Sequence, residues 1–223
     1  MSDATSLLRK LVIYLVPMIL SLSVHEFAHA IVADKLGDDT PEREERLTLS
    51  PVAHVDIWGT LLVPTLSIVL AGYAFIGWAR PVNVNPARFR RGVSMKTGMM
   101  LTSIAGPLSN LLLAVIAIAL ASILTSRGVL GPAQPGRLPI YMLLQAFFYV
   151  NVGLCVFNLL PLPPLDGHRL LPRSLDSIVE TVTPYSFLII SVVLMAPALR
   201  YPLIEWPMRT IIHALERLFS FGF

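Results

Sequence analysis

The sequence His25-Glu26-Phe27-Ala28-His29 interrupts an apolar run that extends from Leu11 to Val24 and resumes over Ala30–Ala33. On a helix, residues four positions apart lie on one face, so both imidazoles could bind one metal ion with the Glu26 carboxylate beside it. This His-Glu-x-x-His spacing is typical of two zinc ligands and a general base. An ionised side chain at a bilayer centre costs about 2.5–3.5 kcal/mol, which a bound cation would offset. The stretch therefore predicts a metal site on a membrane helix.

Two other interpretations of this stretch are open. His-Glu-x-x-His also occurs by chance on the solvated faces of soluble helices. Arg9 and Lys10 precede an apolar stretch, and Ala28-His29-Ala30 has the small-x-small form of a signal-peptide cleavage site. Glu26, so close to that site, and the further apolar runs that follow argue against a signal peptide.

The composition indicates an integral membrane protein. Of the 223 residues, 55% are hydrophobic and only 14% are charged, against about 25% charged in soluble domains. The mean hydropathy is +0.70. The net charge of +3 favours basic cytoplasmic loops rather than a nucleic-acid partner. The single cysteine, Cys155, excludes an internal disulfide and a cysteine-based zinc site.

Hydrophobic segments predict an all-α polytopic protein with about four or five transmembrane helices. Interrupting glycines and a proline leave one segment, 57–78, as either a full span or a re-entrant hairpin. The other predicted spans are 7 or 11 to 36, 99–124, 140–160 and 185–203.

Two polar segments have their own predictions. Arg80–Asn85 alternates between prolines and is typical of a short β edge strand, and the basic stretch around it indicates the cytoplasmic face. The charges of 38–46 are predicted to lie in a solvated loop. His54, close to the next apolar run, could approach a site at the membrane edge.

Residues 205–223 have the helical spacing of an interfacial amphipathic helix.

A catalytic zinc takes three protein ligands plus water, so the first helix supplies only two of them. Asp166 is the strongest third candidate, because the prolines before it break the helix and can aim its carboxylate back into the bundle. An ordinary Asp-Gly turn explains the same residues equally well. Asn110 is expected to make an interhelical hydrogen bond. The other candidate ligands are His54, His168 and His213.

The chain resembles the site-2 protease family of intramembrane zinc metalloproteases. The resemblance rests on His25-Glu26-Phe27-Ala28-His29, on Asn158-x-x-Pro161-x-x-x-Leu165-Asp166-Gly167 and, more weakly, on Gly106-Pro107-x-x-Asn110. It implies one Zn²⁺ per chain bound by His25, His29 and Asp166, with Glu26 as the general base that activates water. It also implies that Asn158 contacts the substrate or stabilises the oxyanion.

The resemblance further implies a single membrane-embedded protease domain over 1–223, without PDZ or CBS domains. Its core would be 7–170, followed by a last span and tail over 183–223. The expected partners are a lipid bilayer and a membrane-spanning protein substrate, which is cut in or near its transmembrane segment. The active site would lie toward the cytoplasmic side of the cell membrane. Because both motifs must reach the same face, segment 57–78 is predicted to be re-entrant. The residues expected to touch substrate are Asn158, Pro161, Pro164, Val82 and Val84, with His54 and Asn110 as accessory residues.

A second class of function fits the first motif alone. A transporter or channel could carry an ion on His25, Glu26 and His29. Such a protein has no use for the paired Asn158 and Asp166 signature. Glu26→Gln would impair ion flux in a transporter, whereas it would leave the substrate uncut in a protease.

Overall fold

The computed structural model describes residues 3–71, 77–130 and 138–223, and every regular element within these ranges is helical. Short 3-10 or π-helical turns extend or join the α-helices at 57–62, 86–88, 166–170, 173–175, 183–185 and 201–205. The α-helices are α1 (Asp3–Lys35), α2 (Thr40–Arg43), α3 (Pro51–His54), α4 (Val63–Ala71), α5 (Met95–Ser126), α6 (Leu138–Asn158), α7 (Asp176–Val182), α8 (Ser186–Met195), α9 (Pro197–Arg200) and α10 (Trp206–Phe219).

Four helical stretches in the described residues are long and apolar enough to cross a membrane: Thr5–Lys35, Met95–Ser126, Leu138–Asn158 and Arg173–Met195. The prediction of an all-α polytopic protein is confirmed at this level. The last stretch begins and ends earlier than the predicted span 185–203. It ends at Met195 because Ala196, which precedes Pro197, has an extended backbone (φ −92°, ψ 108°), as the residue before a proline prefers.

Helices α1, α5 and α6 pack on one another and form the centre of the bundle. Between α5 and α6, the small Ala114 and Ala117 face the fully buried Phe148 and Val152. Small residues allow helix backbones to approach closely, which is the main source of packing energy between apolar helices in lipid. This central group of three helices carries all the residues of the first motif and of the Gly106-Pro107 pattern.

The C-terminal helix α10 has the predicted amphipathic character. Its apolar side chains pack against the α5–α6 core, and the phenyl rings of Phe221 and Phe223 continue that contact beyond the end of the helix. The apolar face of α10 is therefore partly buried against the bundle. The side chains of α10 in this contact are Met208, Ile211, Ile212, Leu215 and Phe219.

The connection after α1 is less solvated than its composition suggests. Asp38 is completely buried and Arg46 is 5% exposed, so the predicted solvated loop is wrong for both residues. One Asp38 oxygen accepts a hydrogen bond from the Asn85 backbone N–H (2.6 Å), and the other accepts from the Thr40 N–H (3.1 Å). These bonds explain why a carboxylate is tolerated there. Burial, together with the nearby Arg80 charge, lowers the pKa of the Arg46 guanidinium.

Residues 78–85, called the strap below, are held by backbone hydrogen bonds against α1, α3 and the connection after α1. The backbone N–H of Arg80 donates to the His54 carbonyl (2.8 Å), that of Val82 to the Glu26 carboxylate (2.9 Å) and that of Asn85 to Asp38. The strap is not a β-strand in the structure, contrary to the prediction for Arg80–Asn85. A ladder needs a facing strand, whereas these N–H groups bond to one carbonyl and two carboxylates.

The two ends of segment 57–78 lie side by side. The Trp78 N–H donates to the Gly59 carbonyl (3.1 Å), and the Thr60 hydroxyl donates to the Trp78 carbonyl (2.7 Å). The π-helical turn 57–62 begins this segment and continues into α4, while 72–76 lie outside the described residues. The described ends of the segment therefore lie in contact with each other.

Candidate metal centre and catalytic cavity

Three side chains from two distant parts of the sequence converge beside the last third of α1. His25 and His29 lie four residues apart on α1, and their Nε2 atoms are 3.0 Å apart. Asp166 Oδ2 lies 3.2 Å from His25 Nε2 and 3.3 Å from His29 Nε2. Both imidazoles are buried. This is the group in the described residues in which three potential metal-ligating side chains come together.

The chain turns sharply after α6 to bring Asp166 to the imidazoles. α6 ends at Asn158, because the prolines at 161, 163 and 164 cannot continue a helix. The following turn packs closely against the end of α6. A Cβ on Gly167 would lie 2.3 Å from the Leu159 carbonyl oxygen, so a residue without a side chain is required for this return.

A second close approach lies on α5. A Cβ on Gly106 would lie 2.5 Å from His29 Nε2 and 2.6 Å from His25 Nε2. Any side chain there would occupy the space in front of both imidazoles. The sequence pattern around Gly106 indicated close helix contact, and the structure shows that this contact is made with the histidines.

Hydrogen bonds at the far side of each ring indicate which nitrogens carry protons. His29 Nδ1 lies 2.7 Å from the Thr102 backbone carbonyl, and His25 Nδ1 lies 2.6 Å from Asn110 Oδ1. A carbonyl oxygen only accepts, so both Nδ1 atoms donate. In the neutral imidazoles, each Nε2 atom then carries a lone pair that points toward Asp166.

Asp166 presents a charged oxygen to these two nitrogens. Burial raises the pKa of its carboxyl, whereas protons on the Nε2 atoms of His25 and His29 lower that pKa well below its ordinary value. A cation placed between the three atoms favours the ionised carboxylate in the same way. Among the described residues, its buried Oδ2 has no hydrogen bond of normal geometry, although both Nε2 atoms are within 3.3 Å.

The three atoms fit a metal ion. Two nitrogen lone pairs and a carboxylate oxygen repel one another at this distance unless a cation lies between them. Tetrahedral zinc, with ligands at 2.0–2.1 Å, separates its ligand atoms by about 3.3 Å, which is close to the three observed separations. Histidine and carboxylate are also common ligands of catalytic zinc.

A cavity of about 160 Å³ opens beside the three ligands. Glu26 lines it, and the Val82 N–H bonds to one oxygen of the Glu26 carboxylate. Four of the residues predicted to contact substrate also line the cavity: Asn158, Pro164, Val82 and Val84.

The remaining predicted residues lie elsewhere. Pro161 is exposed and is not part of the cavity wall. His54 is buried at the base of the strap, where its Nε2 lies 2.8 Å from the Thr48 carbonyl. Asn110 lies behind His25, on the side away from Asp166.

Sequence reasoning missed two contributors to the site. Arg169 lines the cavity, and its position three residues after Asp166 was an available signal. The Thr102 carbonyl orients His29. No signal in the sequence could have identified it, because every residue has a backbone carbonyl.

The fold and the site together define a class: an α-helical, membrane-spanning protein with a buried His-His-Asp group suited to a metal and a carboxylate in the adjoining cavity. The family model described as peptidase family M50 matches residues 121–197. YwhC of Bacillus subtilis (strain 168), provisionally named a zinc metalloprotease, is 39% identical over 203 residues, which cover 86% of this chain and 84% of that protein.

Rip2 of Mycolicibacterium smegmatis, also provisionally named a zinc metalloprotease, is 32% identical over 196 residues, which cover 84% of this chain and 70% of that protein. Rip2 of Mycobacterium tuberculosis (strain H37Rv) is 31% identical over 157 residues, 69% of this chain and 53% of that protein. No solved structure matches the chain. The chain belongs to peptidase family M50, the site-2 protease family of membrane zinc metalloproteases.

Proposed function

We propose that this protein cleaves a peptide bond in or near the transmembrane segment of a membrane protein. One observation carries the proposal: His25, His29 and Asp166 present three ligand atoms at mutual distances of 3.0–3.3 Å, with Glu26 lining the same cavity. Membership of a metalloprotease family supports the reaction class. The alternative of an ion transporter is not favoured, because that family is one of peptidases.

In this proposal, His25, His29 and Asp166 hold one zinc ion. A zinc ion bound there supplies Lewis acidity, which polarises the peptide carbonyl and makes water acidic enough to react near neutral pH. Glu26 is the general base: it takes a proton from water and passes it to the leaving amine. Its hydrogen bond from Val82 uses one carboxylate oxygen, so the other oxygen is available for proton transfer.

Asn158 is assigned to the oxyanion. Its side chain lines the cavity, and one Nδ2–H donates to the Leu154 carbonyl at 3.0 Å. An amide nitrogen has two protons, so Asn158 has a second N–H for the substrate oxygen. A donor held in advance at the place where negative charge develops lowers the barrier to hydrolysis.

The strap is assigned to substrate binding. A transmembrane helix satisfies its own backbone hydrogen bonds and must unwind locally before water can attack it. An unwound segment could then pair with the exposed edge of the strap, as extended peptides do on other proteins. Val82 and Val84 line the cavity, which supports this assignment, and Pro164 would contact the same segment from the opposite wall.

The topology proposal places the cavity toward the cytoplasm. Segment 57–78 is assigned as re-entrant, which the hydrogen bonds between its two ends support. Basic residues lie within the strap (Arg80) and just after it (Arg88, Arg90 and Arg91), and loops rich in arginine and lysine favour the cytoplasmic side. With 57–78 not crossing the membrane, α5 is the one crossing between α1 and α6, so the C-terminal ends of α1 and α6 lie at the same face. The first motif and the Asp166 turn then meet at that face.

Chelation is the direct test of the proposed reaction. The purified chain would be reconstituted in liposomes with a panel of fluorescently tagged single-span proteins, and cleavage would be followed on gels. We expect cleavage of at least one substrate, its loss after treatment with a membrane-permeant chelator, and its return on addition of zinc. Cleavage that persists in zinc-depleted protein would contradict the proposal.

Val84→Pro tests the strap assignment. Proline removes a backbone N–H and so blocks pairing along that edge. Val84 lies between the anchored N–H groups of Val82 and Asn85, so its replacement leaves the Glu26 contact intact, whereas Val82→Pro would destroy it. We expect cleavage to fall about tenfold, equivalent to about 1.4 kcal/mol, with zinc content unchanged.

Val84→Ala is the matched control for this variant, because it trims the side chain but keeps the N–H. Equal losses in Val84→Pro and Val84→Ala would mean that the side chain, and not backbone pairing, contacts the substrate. Full activity in Val84→Pro would remove the strap from substrate binding.

A further inference from the structure

A chain of buried amides lies behind His25 and joins the three central helices. Ser21 lies on α1, Asn110 on α5 and Asn151 on α6, and all three are completely buried. Asn110 Oδ1 lies 2.6 Å from His25 Nδ1, and Asn110 Nδ2 donates to Asn151 Oδ1 at 2.9 Å. Asn151 Nδ2 donates to the Ser21 hydroxyl and to the Phe147 carbonyl, each at 2.8 Å. A polar chain of this kind in an apolar bundle calls for a function.

Each hydrogen bond in this chain determines the direction of the next. The Phe147 backbone carbonyl can only accept, so the Asn151 amide must turn its Nδ2 toward it and its Oδ1 toward Asn110. Asn110 must then turn its Nδ2 toward Asn151 and its Oδ1 toward His25.

The last step of the chain is at the metal ligand. Since Asn110 presents an oxygen, Nδ1 must be the protonated nitrogen of the neutral His25 imidazole. Its Nε2 then carries the lone pair that points toward Asp166. The Phe147 carbonyl on α6, through the amides of Asn151 and Asn110, therefore determines which nitrogen of His25 on α1 is protonated. Without Asn151, only a long hydrogen bond from Asn110 Nδ2 to the Ser21 backbone carbonyl (3.4 Å) opposes a 180° rotation of the Asn110 amide. That rotation would present an N–H to His25 and favour the wrong tautomer for metal binding.

We propose that Asn151, assisted by Ser21, is a positioning residue that fixes the amide direction of Asn110 and thereby the metal-binding tautomer of His25. This inference rests on the proposed function in one respect, namely that His25 Nε2 holds the metal. Asn151 and Ser21 lie outside the three motifs that carry the family resemblance. Their role follows from the packing of α6 and α1 on α5.

The expected effect is on metal affinity. Loss of a group that orients a histidine ligand typically costs 10–100-fold in metal affinity. Asn110→Leu, which removes the direct partner of His25, should weaken zinc binding about 100-fold, and Asn151→Leu about tenfold. Leucine has the same branching at Cγ as asparagine and suits an apolar bundle, so both variants should remain folded.

A double-mutant cycle on zinc affinity tests the proposal. The full chain in detergent would be titrated against a chromogenic zinc chelator, with the parent, Asn110→Leu, Asn151→Leu and the double variant compared. If Asn151 acts only through Asn110, the double variant binds zinc no more weakly than Asn110→Leu alone. Losses that multiply would mean that Asn151 affects zinc binding independently of Asn110, and that result would overturn the inference.

Three further variants complete the test. Asn110→Asp should restore part of the affinity lost in Asn110→Leu, because a carboxylate also accepts the Nδ1 proton, whereas its second oxygen faces Asn151 Oδ1 in place of the amide N–H. Should Asn151→Leu fail to fold, Ser21→Ala removes one support of Asn151 and should weaken zinc binding by a few-fold. Ser109→Ala, whose hydroxyl bonds only within α5 to the Gly106 carbonyl, is the matched control and should bind zinc as the parent does.

The outcomes separate this inference from the proposed function. Parent protein that binds no zinc would overturn the proposed function and this inference with it. Parent protein that binds zinc, beside Asn151→Leu and Ser21→Ala variants of unchanged affinity, would overturn the inference alone.

Discussion

Glu26→Gln is expected to reduce peptide hydrolysis by about 10²–10⁴-fold, the range for loss of a general acid-base group, while zinc content stays at the parent level. Glutamine has the shape of glutamate and can still accept the Val82 N–H through its carbonyl oxygen. It cannot take a proton from water. The three ligand side chains are not touched, so metal binding and proton transfer are separated in one variant.

The measurement is the single-turnover cleavage rate of a reconstituted substrate, with zinc determined on the same sample by atomic absorption. Glu180→Gln is the matched control, because Glu180 is an exposed carboxylate on α7, and it should cleave as the parent does. Activity within threefold of the parent in Glu26→Gln would exclude Glu26 as the base. Loss of zinc from that variant would instead assign Glu26 to the metal.

His25→Ala and Asp166→Ala are each expected to reduce bound zinc from about one per chain to near zero. With one ligand of three removed, the remaining two donors hold the ion weakly, and a buried cavity without its metal leaves the other donors unsatisfied. The two residues are 141 positions apart in sequence, yet their ligand atoms are 3.2 Å apart. Equal loss in both variants would therefore establish that the two motifs form one site.

The measurement is zinc per chain after purification and resupply with a known excess of zinc. His168→Ala is the matched control: it is two residues from Asp166, but its Nδ1 bonds to the Leu165 carbonyl, and its zinc content should not change. Loss in His25→Ala with retention in Asp166→Ala would require another third ligand. Absence of zinc from the parent would revive the interpretation as an ion pathway.

Local signals in the sequence predicted the first half of the site. His25 and His29 were expected to share a helix face, and α1 places their Nε2 atoms 3.0 Å apart. This success is physical: a helix has a constant rise and rotation, so spacing alone determines which side chains are neighbours. The family resemblance then assigned Asp166, which spacing alone had left among four candidates.

Local signals failed where burial depends on distant partners. Asp38 has the composition of a solvated loop, yet it is completely buried because Asn85 and Thr40 supply N–H groups to it. Arg80–Asn85 has the alternation of an edge strand, but its N–H groups bond to carboxylates and a carbonyl. In both cases, a partner distant in the sequence contributes to the outcome: Asn85 for Asp38 and Glu26 for Val82.

The sequence by itself therefore determined the membrane class, the helical architecture and the family, because hydropathy and residue spacing are local properties that a chain carries wherever it folds. The tertiary structure alone decided that the Thr102 carbonyl orients His29, that Gly106 makes room for both imidazoles and that Asn151 lies behind His25 through Asn110. These facts depend on how α1, α5 and α6 pack. Packing is a property of three surfaces at once, and no single segment contains it.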